Sequence, residues 1–372
     1  MKDILTILKE TNCIYIFGAQ SRAKTVMGYV NELFSDLSVL AFLVDNEEDN
    51  EEQIEQIPVL HLVHNPVLDI KAPVLLATKG IYHEHITEVL KGKGFTTVLP
   101  ITVEADNCLR NAYVSKVYAK QGRAFVKLEQ LSVTEFCQSI KKKTDVNICV
   151  AKSIYDNPTE TSYVYPAWET PIQVGAALTD TRLEGVGVLD NVGEHISDRN
   201  RQYCELTGLY WMWKNDPHDI AGLAHYRRHF ILPDNWVDIM MQNEVDAIVP
   251  VPTYVYPNID TNYRQRHISD DWDYLLQYLK KMDAYTYEIA RTVFGGNLYL
   301  PCNMFIAKWE VLDDLCGWMF PILDAVAQHG GVKEDIYMNR YVGFLSERLI
   351  TLYFTFHKDK YKTVYADRIF FK

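Results

Sequence analysis

Asp219-Ile220-Ala221-Gly222-Leu223-Ala224-His225-Tyr226-Arg227-Arg228 is an apolar run of strand length that stops at a histidine, a tyrosine and two arginines. Cations directly after a buried strand are costly unless they face a cavity or an anion. Ligands of open α/β sheets sit beyond the carboxyl ends of the strands, so this strand end is where a site belongs. Working outward, residues 147–151 form a second apolar run, followed by the loop Lys152-Ser153-Ile154-Tyr155-Asp156-Asn157-Pro158. Residues 186–189 form a third, with Asp190-Asn191-Val192-Gly193 as its turn. Ser197-Asp198-Arg199-Asn200 opens a pattern predicted to run as one helix to Lys214, with Ser197 or Asp198 as its N-cap. Another strand is predicted over 247–250, and helices near 271–282, 308–327 and 334–353.

The strand-end rule gathers Lys152, Tyr155, Asp190, Asn191, Ser197, Asn200, His225, Tyr226, Arg227 and Arg228 into one candidate set. It combines an acid, amides, a helix start and cations. A nucleotide diphosphate needs such a mixture: an acceptor for base or ribose, and donors with positive charge for the phosphates.

Several stretches, in order, resemble one bacterial family. They are Asp190-Asn191, Ile196-Ser197, Asn200, Tyr203-Cys204-Glu205-Leu206-Thr207, Tyr210-Trp211, Trp213-Lys214-Asn215, Gly222-Leu223 and His225-Tyr226-Arg227-Arg228. Asn303-Met304-Phe305-Ile306, Trp318-Met319-Phe320-Pro321-Ile322-Leu323 and Gly343-Phe344-Leu345-Ser346-Glu347-Arg348-Leu349 fit the same pattern. The family is the one found in capsule, O-antigen and exopolysaccharide gene clusters and assigned as glycosyltransferases. The resemblance spans about residues 146–350 and leaves the N-terminal third outside. It implies a GT-A-like fold and transfer of a sugar, with galactose-type residues among the candidates, from a nucleotide-diphosphate donor, usually UDP-linked. The acceptor it implies is a glycan or a lipid-linked sugar of bacterial surface polysaccharide synthesis.

The pattern departs from the metal-dependent members of that fold, which place Asp-x-Asp where this chain has His225-Tyr226-Arg227. Two acids there would hold a divalent cation on the diphosphate. Arginine can neutralise the leaving group instead, so no metal ligand is assigned and a divalent metal is not expected to be required. Asp271-Trp272-Asp273 stands at a predicted helix start, where acids serve the dipole. Glu347 and Asp335 are the candidates for a catalytic base, since transfer needs a group to take the proton of the acceptor hydroxyl. Asn303 and His267 are candidates for acceptor or sugar contacts. Tyr210, Trp211 and Trp213 read as core, and Glu205 as a surface residue.

Upstream, residues 13–18 form a short buried strand ending at Gly18, a helical pattern follows, and a run over 39–44 ends on Asp45. Further runs at 74–77 and 97–99 flank a helix near 82–91. Alternating strands and helices imply a Rossmann-like, doubly wound domain. Its glycine fingerprint is broken, because Gln20 and Ala23 stand where two glycines would let backbone approach a pyrophosphate. The fold class is therefore α/β throughout: a Rossmann-like domain over 1–103, a helical linker over 104–145 closing on Lys141-Lys142-Lys143, and a GT-A-like domain over 146–372.

The 372 residues carry a formal net charge of −12, which argues against nucleic acid as a partner. Seven scattered cysteines, with no CxxC pair, read as thiols of a reducing compartment. The N-terminus shows no signal-peptide pattern, and no run approaches the roughly 18 apolar residues of a membrane span. A cytoplasmic protein is expected. The basic and aromatic residues from 357 to 372 suggest peripheral contact with the inner face of the membrane. Two other functions fit parts of the chain. One is an NAD-dependent enzyme modifying sugar nucleotides through Gly18 and Asp45; the other is a non-catalytic capsule-assembly protein.

Overall fold

A computed structural model describes residues 3–45, 50–64, 67–133, 144–159 and 163–371. Two compact units emerge. The first comprises Met1–Phe125 with Tyr254–Tyr256, and the second Val126–Thr253 with Pro257–Lys372.

The first unit contains β1 (Cys13–Phe17), β2 (Ser38–Val44), β3 (Gln53–Ile54), β4 (Ile57–His61), β5 (Val74–Leu76) and β6 (Val98–Pro100). Its helices are α1 (Ile4–Lys9), α2 (Ser21–Leu33), α3 (His83–Gly92) and α4 (Val103–Lys120). The strand order is β3-β4-β2-β1-β5-β6, parallel except for the β3–β4 hairpin. This is a Rossmann-like sheet. Its core is the apolar faces of the central strands, with Tyr15, Phe17, Leu43, Val74 and Leu76 all at 5% exposure or less. Gly18 follows β1 at φ 106°, which favours glycine, and α2 starts three residues later. The helix α4, within the stretch expected to link the domains, packs on α1 and α2 and belongs to this unit. The Lys141–Lys143 run lies outside the described residues.

The second unit contains β7 (Val146–Lys152), β8 (Glu169–Gln173), β9 (Val188–Leu189), β10 (Ile220–His225), β11 (Arg228–Phe230), β12 (Ala247–Pro250), the first residue of β13 (Thr253–Tyr254), β14 (Leu298–Tyr299), β15 (Phe305–Lys308), β16 (Thr363–Ala366) and β17 (Arg368–Phe370). The helices are α5 (Asn200–Tyr203), α6 (Leu206–Asn215), α7 (Trp236–Gln242), α8 (Ile259–Arg266), α9 (Ser269–Met282), α10 (Ala284–Phe294), α11 (Trp309–Gly330) and α12 (Tyr341–Phe356). The main sheet runs β16-β12-β15-β10-β7-β8-β9, with β15 antiparallel to both neighbours. Both faces of β7 and β10 are covered, which is why each reads as a near-continuous apolar run. Ile148, Val150, Ile220, Ala224, Ile248, Ile306 and Val364 share one core, and each large side chain buried there contributes roughly 1.5–3 kcal/mol. Gly222 is required for sheet closure: a Cβ there would lie 2.2 Å from the Phe305 carbonyl oxygen.

The chain leaves β7 towards β8 on one side and returns to β10 on the other. The sheet therefore has its topological switch between β7 and β10, and in open α/β sheets the crevice that takes a ligand lies beyond the carboxyl ends of the strands at such a switch. The first residues of the antiparallel strand β15 enter at the same end.

One sequence expectation changes here. The helix predicted from Ser197 to Lys214 is broken at Cys204, which has φ 52°; a short helical turn and α5 precede the break and α6 follows it. The C-terminal stretch is folded sheet. Tyr361 and Tyr365 are buried, Lys360 pairs with Asp314, Lys362 donates to the Asn243 carbonyl, and Arg368 bonds Thr253. Those bonds hold the tail to the unit, while Lys358 and Lys360 stay exposed and Lys372 lies outside the described residues. No helix among the described residues is long and apolar enough to cross a membrane. The described cysteines are free thiols.

Candidate functional site

The crevice is lined from four directions. The loop after β7 brings Lys152 and Asp156; the Asp156 carboxylate accepts the Ser153 backbone N–H at 2.7 Å. Burial pushes this carboxyl up to about 6, against the opposing pull of Ser153, Lys152 and Arg227. The end of β10 brings His225, Tyr226, Arg227 and Arg228. The break at Cys204 brings Glu205, and the turn before β15, together with α12, brings Cys302, Asn303, Ser346 and Glu347.

His225 is enclosed. Burial holds its imidazole below the usual range, with Glu205 pulling the other way. Its Nε2 lies 2.5 Å from the Cys302 carbonyl oxygen, so that nitrogen carries the hydrogen and donates. The same Nε2 lies 3.4 Å from Glu205 Oε1. Asn303 is 1% exposed and fully bonded: its amide donates to Glu205 Oε1 at 2.7 Å and to the Gly343 carbonyl at 3.0 Å, while its Oδ1 accepts Ser346 Oγ at 2.8 Å. Glu347 Oε1 accepts the Cys302 backbone N–H at 2.6 Å, and its Oε2 accepts Arg348 Nη1 at 2.7 Å. Burial raises the Glu347 carboxyl, and Arg348 opposes that rise.

Arg227 and Arg228 make no ion pair among the described residues. Arg227 lies 4.9 Å over the Tyr226 ring and 5.3 Å over Phe370; Arg228 lies 5.1 Å over Phe370. Arg227 Nε is buried with no acceptor. Two guanidiniums packed on ring faces, with no carboxylate in ion-pair contact among the described residues, keep hydrogen-bond donors available to an anion.

The other candidates divide. Tyr155 projects from the β7 loop at 74% exposure. Asn191 Oδ1 is a buried acceptor without a donor among the described residues. Asp190 is a correction: it is 0% exposed and its carboxylate is saturated by the backbone N–H groups of Gly175 and Ala176 and the hydroxyls of Ser197 and Thr207. A carboxylate offers about four acceptor positions, and all four are filled internally. Ser197 accepts Ala177 N–H besides donating to Asp190, and Asn200 bonds Thr207 and the Cys204 carbonyl. These three residues tie the loop after β8 to the start of α6 through internal hydrogen bonds. Asp335 is a second correction, being exposed and accepting the Met338 backbone N–H at 2.7 Å as a cap. His267, a candidate for an acceptor or sugar contact, is stacked 4.3 Å from Phe344 and 5.8 Å from Tyr337. Burial lowers its pKa to about 4, so the ring is neutral. Asp271 and Asp273 face different partners, Lys333 and Arg264. No group of three or more His, Cys, Asp or Glu side chains gathers as a metal site among the described residues.

Asp156 and Glu205 were missed as site residues. Asp156 could have been found from its Asp-Asn-Pro turn directly after a strand end. Glu205 lies in the Tyr203–Thr207 stretch that resembles the family, but the helical pattern passes through it and gives no sign that the chain breaks there.

The second unit is a mixed α/β sheet with two arginines at its switch point, and the first unit is Rossmann-like. The chain belongs to the family described as a domain of unknown function, DUF4422, which matches residues 157–359. It is similar to a solved structure described as the apo form of the WbbM bifunctional glycosyltransferase, with a TM-score of 0.53 and 22% identity. That match covers 60% of this chain and 45% of the other, so this chain spans less than half of that protein. No curated protein matches the chain.

Proposed function

We propose that the second unit transfers a sugar from a nucleotide-diphosphate donor, UDP-linked, to a glycan or lipid-linked acceptor of a bacterial surface polysaccharide. A galactose-type residue is the sugar to try first. The observation that carries this reading is the pair Arg227 and Arg228, unpaired beyond β10 and across the switch point from Lys152. Guanidiniums bind diphosphates through paired N–H donors, and they neutralise the charge that develops on the leaving group. They stand where a metal-binding acid pair would otherwise be, so transfer proceeds without a divalent ion.

The Rossmann-like unit offers less for a dinucleotide. Gln20 hydrogen-bonds Asn50 beside the β1–α2 turn, and Arg22 is tied to the Ile101 carbonyl at 2.6 Å. Thermal shift with UDP and with NAD tests the assignment, extended by a screen of UDP-, GDP- and CMP-sugars for binding or slow hydrolysis. Stabilisation by UDP and not NAD is expected; the reverse would move the chemistry to the first unit.

A further inference from the structure

The two glutamates of the crevice differ in what their oxygens are free to do. Glu347 has both oxygens occupied, one by the Cys302 N–H and one by the Arg348 guanidinium. Glu205 has Oε1 in the hydrogen bond from Asn303, with His225 Nε2 beside it, and no donor reaches Oε2 among the described residues. Its side chain is 12% exposed, enough to meet a ligand and little enough to be held in one place. The Asn303 amide that anchors Oε1 is itself pinned by Gly343 and Ser346. An anchored carboxylate with one open oxygen is the arrangement a general base requires; one with both oxygens bonded to donors is suited to holding structure.

The geometry points to Glu205 as the catalytic base of the transfer, with Glu347 as a positioning residue that fixes the Cys302 and Asn303 turn. This rests on the transferase reading above. In the step it implies, the acceptor hydroxyl oxygen bonds to the anomeric carbon as the bond from that carbon to the phosphate oxygen breaks. The bonding pair leaves on the nucleoside diphosphate, beside Arg227 and Arg228. The hydroxyl proton passes to Glu205 Oε2 and from there to solvent. His225 is neutral and donates to the Cys302 carbonyl, so it neither competes for that proton nor pairs with Glu205 as a cation.

The full chain is first offered UDP-galactose, UDP-glucose and UDP-N-acetylglucosamine, with water and then azide as acceptor. UDP release and glycosyl azide are measured for wild type, Glu205→Gln and Glu347→Gln. Azide carries no proton, so attack by it needs no base. Glu205→Gln is expected to slow UDP release into water by roughly 100- to 10,000-fold, the usual contribution of a general base, while transfer to azide persists. Glu347→Gln is expected to weaken both reactions together. If Glu205→Gln releases UDP into water at the wild-type rate, or loses azide and water transfer alike, Glu205 is not the base. If Glu347→Gln instead loses water and keeps azide, the two roles are exchanged. Turnover of none of the three sugars by wild type contradicts the transferase reading itself.

Discussion

Glu205 and Glu347 hold adjacent residues of one turn: Glu205 Oε1 accepts the Asn303 amide at 2.7 Å, and Glu347 Oε1 accepts the Cys302 N–H at 2.6 Å. Both gripped residues have left-handed backbone, Cys302 at φ 73° and Asn303 at φ 51°. Such conformations cost on the order of 1–3 kcal/mol each in non-glycine residues and persist where surroundings over-determine them. Here a buried amide network does so, which gives the crevice a fixed wall opposite its arginines.

Arg227→Ala and Arg228→Ala are expected to weaken UDP binding. Loss of a charge-assisted hydrogen bond costs roughly 1.5–3 kcal/mol, or about 10- to 150-fold in affinity. Calorimetric titration with UDP measures it. Unchanged affinity in both variants would remove the phosphate role from this strand end.

Metal removal gives a separate outcome. With guanidiniums in place of an acid pair, EDTA should leave UDP-sugar turnover largely intact. Activity that vanishes with chelator and returns with Mn²⁺ would show that a divalent ion, held by carboxylates, carries the diphosphate.

Asp190 tests the difference between support and contact. Asp190→Ala strands four donors in the interior, at about 1–3 kcal/mol for each buried group left unmade. Urea denaturation is expected to show a loss of at least ~3 kcal/mol. A variant as stable as wild type that no longer binds UDP would return Asp190 to the donor contacts.

Asp156 is expected to make UDP binding pH-dependent. Its folded-state value is raised to about 6, so between about 4 and 6 the folded protein holds a proton that the unfolded chain has lost. Stability from this group therefore falls as pH rises through that window. As pH drops through 6 the carboxylate neutralises and stops competing for Lys152 and Arg227, so UDP affinity rises. UDP titrates in the same range, and Asp156→Asn supplies the comparison: its pH profile should be flatter than wild type. Superimposable profiles would mean Asp156 does not face the anion.

The apolar runs that became β1, β7 and β10 were legible because both faces of each are buried, and the strand-end rule then located Lys152, His225, Arg227 and Arg228. The β3–β4 hairpin was not, since its turn puts Glu55 and Gln56 at positive φ without glycine or asparagine to mark it. The break at Cys204 is tertiary in origin. Its thiol packs against Gly343, where a Cβ would come within 3.3 Å, and it accepts Arg340 Nε at 3.3 Å. Nothing in the local sequence announces those partners, so Glu205 read as a surface residue. Asp190 was recognised as a turn acid, but burial and saturation by four donors are properties of packing, not of sequence.

Hydrogen–deuterium exchange on the full chain, with and without UDP, reports where the nucleotide binds. Protection is expected in residues 152–159, 225–230 and 301–305, the loops at the carboxyl end of the β7–β10 crevice. Protection confined to residues 18–24 and the end of β2, with the second unit unchanged, would place the nucleotide in the Rossmann-like unit and contradict the account.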